Sequence, residues 1–167
     1  VHAQEDARLG ELSHRVRDRF CGAVPHQRAP ILAVEDGEVL LVAGEGADDI
    51  ARQSGGWTLS WQGTGINNSH FPGATSIWTG LEDAVEAAGG SAQLSPDGSF
   101  TQRPDAAVVV FGETPYAEFQ GDRATLALDP ELTGPYETMR KLKAQGIPVI
   151  ALMLTGRPLY ANPALNS

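Results

Sequence analysis

The chain has 167 residues, enough for one domain with a core of ordinary size, and its hydrophobic (41%) and charged (20%) fractions are those of a soluble globular protein. A formal net charge of −9 excludes the clustered Lys and Arg that binding to a nucleic-acid backbone relies on. The longest apolar run, Ile147 to Leu154, is interrupted by Pro148 and falls far short of the roughly 18 residues a membrane span requires, so no membrane partner is expected.

The first residues, Val1-His2-Ala3-Gln4-Glu5-Asp6, lack the basic start and apolar stretch of a signal peptide. The chain does not begin with Met, which suggests a fragment. Leu9, Leu12, Val16 and Phe20 recur at helical spacing in a charged stretch, and an amphipathic helix over 5–20 follows. Arg15/Arg17/Arg19 and Arg140/Lys141/Lys143 read as solvated helix faces. The lone Cys21 excludes an intrachain disulfide and reads as a small buried hydrophobe. His2, His14, His26 and His70 show no metal-ligand spacing, so neither metal nor cofactor is expected. Residues 21–37, with Pro25, Pro30 and Gly37, read as loop, and 1–37 stands apart from a domain over 38–167.

Val39 to Ala43 is a short apolar run that ends in Gly44-Glu45-Gly46, the pattern of a buried strand and a tight turn. Gly44 to Asp49 partly matches a dinucleotide fingerprint, but Asp49 occupies the last glycine position and acids stand where a pyrophosphate would approach. Trp57-Thr58-Leu59-Ser60-Trp61 alternates like a strand, which would put both indoles on one side. Alone, the two tryptophans read as core, or one as core and Trp61, beside the polar loop over 62–74, as a sugar-stacking surface. Asn67-Asn68-Ser69 is a formal glycosylation sequon.

Ile77, Leu81, Ala84, Val85 and Ala88 form one apolar stripe, predicting a helix over 75–88 closed by Gly89-Gly90. Ala106 to Phe111 is a second buried strand, a helix is expected over 135–145, and Ile147 to Leu154 is a third strand. Strand, helix, strand, helix, strand is the order of an α/β fold with a mainly parallel sheet. Ligands of such sheets gather beyond the carboxyl ends of the strands. The richest loop there is Gly112 to Asp122, with Glu113, Tyr116, Glu118 and Asp122. Glycosidic cleavage uses a carboxylic acid and a second carboxylate, and Glu118 or Glu113 suits the acid; by spacing alone, a solvated acidic loop is the simpler reading.

Four segments occur in order: Gly-Gly-Trp-Thr-Leu-Ser-Trp-Gln-Gly-Thr-Gly at 55–65, Phe-Pro-Gly-Ala-Thr-Ser-Ile at 71–77, Val-Phe-Gly-Glu-Thr-Pro-Tyr-Ala-Glu-Phe-Gln-Gly-Asp at 110–122, and Thr-Gly-Arg-Pro at 155–158. Together they closely resemble the second domain of family 3 β-glucosidases and exo-β-glucan glucohydrolases, over roughly residues 39–166. The resemblance implies a three-layer α/β sandwich, six-stranded in the family, that works beside an N-terminal barrel supplying the nucleophilic Asp. It implies Glu118, from the Pro-Tyr-x-Glu loop, as catalytic acid/base and Trp61 as an outer-subsite sugar contact. Glu113, Tyr116 and Asp122 would support the loop, and Arg157 would fix a turn as an ion-pair partner. The implied partners are a β-glucoside or β-glucan oligosaccharide and the barrel, which this chain does not contain. The family's Ser-Leu-Val-Leu-Leu-Lys-Asn segment is not found, Phe20 to Asp36 standing in its place. The resemblance implies a bacterial periplasmic or secreted protein. The alternative is a non-catalytic carbohydrate-binding or accessory module. Sandwich strands missing from the chain would leave a sheet edge open to self-association.

Overall fold

The computed structural model describes residues 34–162 and 166; the helix predicted over 5–20, Arg15/Arg17/Arg19 and Cys21 lie outside them. Four parallel strands, β1 (Val39–Ala43), β2 (Ser91–Leu94), β3 (Ala106–Gly112) and β4 (Val149–Leu154), lie in the order β2-β1-β3-β4. The family resemblance implies six strands; the described residues form four. Three helices accompany them: a short α1 (Ile50–Ser54), α2 (Ile77–Ala87) and α3 (Gly134–Ala144).

The apolar runs of β1 and β3 are continuous because both faces of these central strands are covered. Leu41, Ala43, Val109 and Phe111 point to one face, where Tyr136, Met139 and Leu142 of α3 meet them. Leu40, Val42, Val108 and Val110 point to the other, against Val85 and the flanking Ile77, Trp78 and Leu81 of α2. The result is helix, sheet, helix: the three-layer sandwich expected from the sequence. Ser76 caps α2, its hydroxyl accepting the Thr79 N–H at 3.1 Å, and Pro135 opens α3 where its missing N–H costs nothing. Arg140, Lys141 and Lys143 lie on the solvated side of α3, and Arg140 pairs with Glu137 at 3.5 Å.

One sequence expectation fails, and one strand was not foreseen. Residues 57–61 are turns and bends, not a strand, and Trp57 has φ +58°. The Trp57 N–H closes a loop on the Trp61 carbonyl at 3.0 Å, and bonds from both indoles to Glu118, distant in sequence, hold the segment. Ser91-Ala92-Gln93-Leu94 is a strand that periodicity does not reveal, since an edge position tolerates its polar residues.

Beyond β2, the Ser95 hydroxyl donates to Asp97 Oδ1 at 2.7 Å, and the Ser99 N–H and hydroxyl donate to the same oxygen. These donors, led by Ser95, lower the Asp97 pKa to about 2. A depressed carboxylate contributes stability above its unfolded pKa that is lost as pH falls through the folded one. Carboxyl NMR is therefore expected to show Asp97 titrating near 2, and a midpoint at the ordinary Asp value would refute the turn.

The chain turns from β1 through α2 to β2 on one side, and from β3 through α3 to β4 on the other. β1 and β3 are neighbours whose following segments leave in opposite directions. A crevice opens beyond the carboxyl ends of such a pair.

Candidate acid/base loop and aromatic cluster

Two segments meet at this crevice: 55–65, downstream of β1, and 112–122, directly after β3. Their contact is close. A Cβ on Gly56 would stand 2.2 Å from the Tyr116 carbonyl oxygen, so only glycine permits the approach. Gln62 then binds the facing backbone with both ends of its amide. Its Oε1 accepts the Ala117 N–H at 2.7 Å and its Nε2 donates to the Glu118 carbonyl at 3.0 Å.

The Glu118 carboxylate is exposed and sits among aromatic rings. Its Oε2 accepts the Trp61 indole N–H at 2.8 Å and the Trp57 indole N–H at 3.0 Å. Trp57 and Trp61 have ring centroids 6.2 Å apart, and Phe119 meets Trp61 edge-on at 5.9 Å. Trp57, Trp61 and Phe119 are 70%, 46% and 75% exposed, so the core role weighed for the tryptophans is replaced by a surface one. The pairing of the two indoles, inferred from strand alternation, is present, but a reversed loop closed by the Trp57 N–H on the Trp61 carbonyl produces it. Among the described residues, Trp57 (φ +58°) and Phe119 (φ +72°) are the non-glycine residues in left-handed backbone. That conformation costs an L-residue roughly 1–2 kcal/mol, and both instances flank Glu118.

The Trp61 N–H and the Glu118 backbone N–H lower the Glu118 pKa, desolvation opposes them, and the Trp57 N–H adds the smallest lowering effect. In this domain Glu118 is therefore a carboxylate at neutral pH. The stabilisation from that charge holds above the ordinary Glu pKa and is lost as pH falls through the folded value.

Behind the loop lies a second carboxylate with different surroundings. Glu113 is buried. Its Oε2 accepts the hydroxyls of Thr155 (2.7 Å) and Tyr116 (3.2 Å), and its Oε1 faces Arg157 Nε at 3.1 Å and Arg123 Nη1 at 3.6 Å. Arg157 also donates through Nε to the Tyr116 hydroxyl and through Nη1 to the Gly121 carbonyl, and its guanidinium lies 3.8 Å over the Tyr116 ring centroid. Arg123 is in turn held by Asp129, whose carboxylate raises the Arg123 pKa. Arg157 is thus the ion-pair partner the sequence indicated. Asp122 enters the loop through its N–H, which donates to the Phe119 carbonyl.

The structure brings Trp61, Glu113, Tyr116 and Glu118 into one cluster and adds residues the sequence reading left unassigned: Trp57, Gln62, Phe119, Arg123 and Thr155. The tryptophan and glutamine stand inside the quoted 55–65 segment, which was the available signal. Among the described residues no group of three or more His, Cys, Asp and Glu stands close enough to hold a metal, and no helix is long and apolar enough to cross a membrane. The partial fingerprint at Gly44 to Asp49 is occupied otherwise, since Asp49 Oδ1 caps α1 by accepting the Arg52 N–H at 2.9 Å.

The chain is similar to known proteins in sequence and in fold. A lysosomal beta glucosidase of Dictyostelium discoideum is 33% identical over 142 residues, covering 75% of this chain and 17% of that protein. The crystal structure of an exo-1,3/1,4-beta-glucanase from a Pseudoalteromonas species superposes with a TM-score of 0.76 at 48% identity, covering 81% of this chain and 17% of that one. A point mutant of that exo-glucanase gives the same TM-score at 41% identity, covering 94% of this chain and 25% of its own. The chain thus spans no more than a quarter of the length of these relatives. The sequence pattern described as the glycosyl hydrolase family 3 C-terminal domain matches residues 30–167. With the α/β sandwich and the loop cluster in place, the chain belongs to the C-terminal domain family of glycoside hydrolase family 3.

Proposed function

We propose that this chain supplies the acid/base half of a retaining β-glucosidase or exo-β-glucanase site. Glu118 would protonate the departing glycosidic oxygen and then, as carboxylate, take a proton from the water that attacks the glycosyl-enzyme intermediate. Trp61 would carry the sugar on the leaving side, and Glu113, Tyr116 and Asp122 would support the loop. The nucleophilic Asp would come from the family's barrel domain. The observation that carries this reading is the position of Glu118. It is an exposed carboxylate at the crevice beyond β1 and β3, with its backbone held by Gln62 and its Oε2 by two indoles.

The lowered Glu118 pKa describes a group facing water. The acid step needs its proton back, and a docked barrel and sugar would supply the desolvation that raises a carboxyl pKa. Alone, the chain offers one of the two carboxylates and is expected to hydrolyse no aryl β-glucoside. The test is a chimera in which residues 34–162 replace the matching segment of the Pseudoalteromonas exo-glucanase. It is expected to turn over, and Glu118→Gln is expected to lower its kcat about a hundredfold to ten-thousandfold. Full turnover by the Glu118→Gln chimera would remove Glu118 from the chemistry.

A second reading, a non-catalytic carbohydrate-binding module, draws on the exposed aromatic surface of Trp57, Trp61 and Phe119. Saturable binding of cellobiose by the isolated chain would support it. β4 is the last strand of the described sheet on its side, and Leu152 in it is 37% exposed. Pairing of two chains along this edge is expected to appear in light scattering as a dimer; a monomer at high concentration would refute it.

A further inference from the structure

We propose that Trp57 is a positioning residue for Glu118: with Trp61 it occupies Oε2 of the carboxyl, and so confines proton transfer to Oε1. The inference rests on reading Glu118 as the acid/base. Both indole N–H groups donate to the same oxygen, at 3.0 Å from Trp57 and 2.8 Å from Trp61. A carboxylate oxygen has two in-plane lone pairs, and two N–H donors use both. A proton arriving at Oε2 would have to displace an indole, whereas both indole bonds leave Oε1 untouched. The two bonds also fix the rotation of the carboxyl group, so Oε1 faces one direction.

Burial does not explain the identity of Trp57, whose ring meets that of Trp61 at the surface with centroids 6.2 Å apart. It is 70% exposed, and its φ of +58° is one that glycine or asparagine would adopt at lower cost. An indole in strained backbone at the surface, with its N–H aimed at a catalytic carboxylate, is an arrangement in which strain is spent on a functional contact. In the acid step the Oε1–H bond breaks, the proton goes to the glycosidic oxygen and the electron pair stays on the carboxylate. The developing charge is then met at Oε2 by two donors already in place, which needs no reorganisation at that moment. In the second half Oε1 takes a proton from the attacking water, and the acid is restored. The Trp61 indole and the residue's own N–H lead in lowering the Glu118 pKa, desolvation opposes them, and the Trp57 indole adds a smaller effect in the lowering direction; no charged side chain among the described residues contributes.

The test uses the three tryptophans of the full chain. In 15N NMR spectra over an acidic pH series, the indole N–H signals of Trp57 and Trp61 are expected to shift with one common midpoint, while that of Trp78, packed against the sheet, stays flat. Glu118→Gln should abolish both shifts. Trp57→Phe should move the midpoint followed at Trp61 upward, because a donor to the charged form is lost. In the active chimera Trp57→Phe should move the limb of the pH–rate profile that reports the acid/base, which a merely structural role would leave in place. A flat Trp57 signal, or a midpoint unmoved in Trp57→Phe, overturns the proposal. These spectra do not depend on turnover, so they stand or fall separately from the Glu118→Gln chimera.

Discussion

Glu113→Ala is expected to destabilise the domain by about 3–5 kcal/mol, the cost of breaking a buried ion pair by removing one partner. The carboxylate side chain is 5% exposed, and the two guanidinium groups facing it, Arg157 and Arg123, are 14% and 16% exposed. With the carboxylate gone, both cations remain largely out of water, and only Arg123 keeps a second acid in Asp129. The Tyr116 hydroxyl loses its acceptor as well, while the Thr155 hydroxyl keeps the Arg157 carbonyl at 2.7 Å. Glu113→Gln keeps the shape and one acceptor oxygen, so its loss is expected to be smaller, about 1–3 kcal/mol. Urea denaturation of the three proteins measures both. A loss under about 1 kcal/mol for the alanine variant, the range of ordinary surface changes, would mean that water replaces the carboxylate and that the cluster is not a structural hub. A double-mutant cycle with Arg157→Met isolates the pair itself from the other partners.

The same network explains why one loop carries two acids with opposite fates. Glu113 follows directly on β3, so its side chain turns under the loop and meets the arginine that follows β4. Five residues later, past Tyr116 and just before the left-handed Phe119, Glu118 stands outside. Arg157 joins the two levels, binding Glu113 below, stacking on Tyr116 and holding the Gly121 carbonyl at the far end of the turn.

Much of the fold was legible because its central strands are buried on both faces. Val39 to Ala43 and Ala106 to Phe111 are runs that only a covered parallel strand explains, and the stripe from Ile77 to Val85 has the period of one helix face. Ser91 to Leu94 was not legible, because an edge strand can be polar and carries no run. Residues 57–61 misled for a different reason: alternating aromatic residues mimic a strand, while the segment is shaped by contacts to residues 56 to 61 positions away in the chain. The site divides in the same way. Glu118 and Trp61 stood in a recognisable order of motifs. The part played by Gln62 depends on an amide meeting a backbone in another loop, and that of Trp57 on an indole turned by a positive φ. Neither leaves a periodic trace in the sequence.

Gly112→Ala tests how tightly the origin of the loop is set. Gly112 closes β3 with φ +149°, backbone that an L-residue rarely adopts, and pairs in register with Leu154 of β4. A Cβ there would lie 1.8 Å from the Leu154 carbonyl oxygen and 2.7 Å from its carbonyl carbon. Both are backbone atoms inside a ladder, so no side-chain rotation relieves the overlap. Either β4 moves outward or the peptide on one side of residue 112 turns over. The first weakens the Glu113 N–H bond to the Leu154 carbonyl, 2.9 Å in the native domain; the second turns Glu113 away from Arg157. Strain of roughly 1–2 kcal/mol and overpacking of about 1–3 kcal/mol place the expected loss at about 2–5 kcal/mol. Thermal unfolding measures the loss, and the indole N–H signals of Trp57 and Trp61 report whether Glu118 keeps its place. A variant as stable as the wild type, with both signals unmoved, would show that β3 and β4 accommodate a methyl group here. The tight junction of strand and loop would then have no part in placing Glu118.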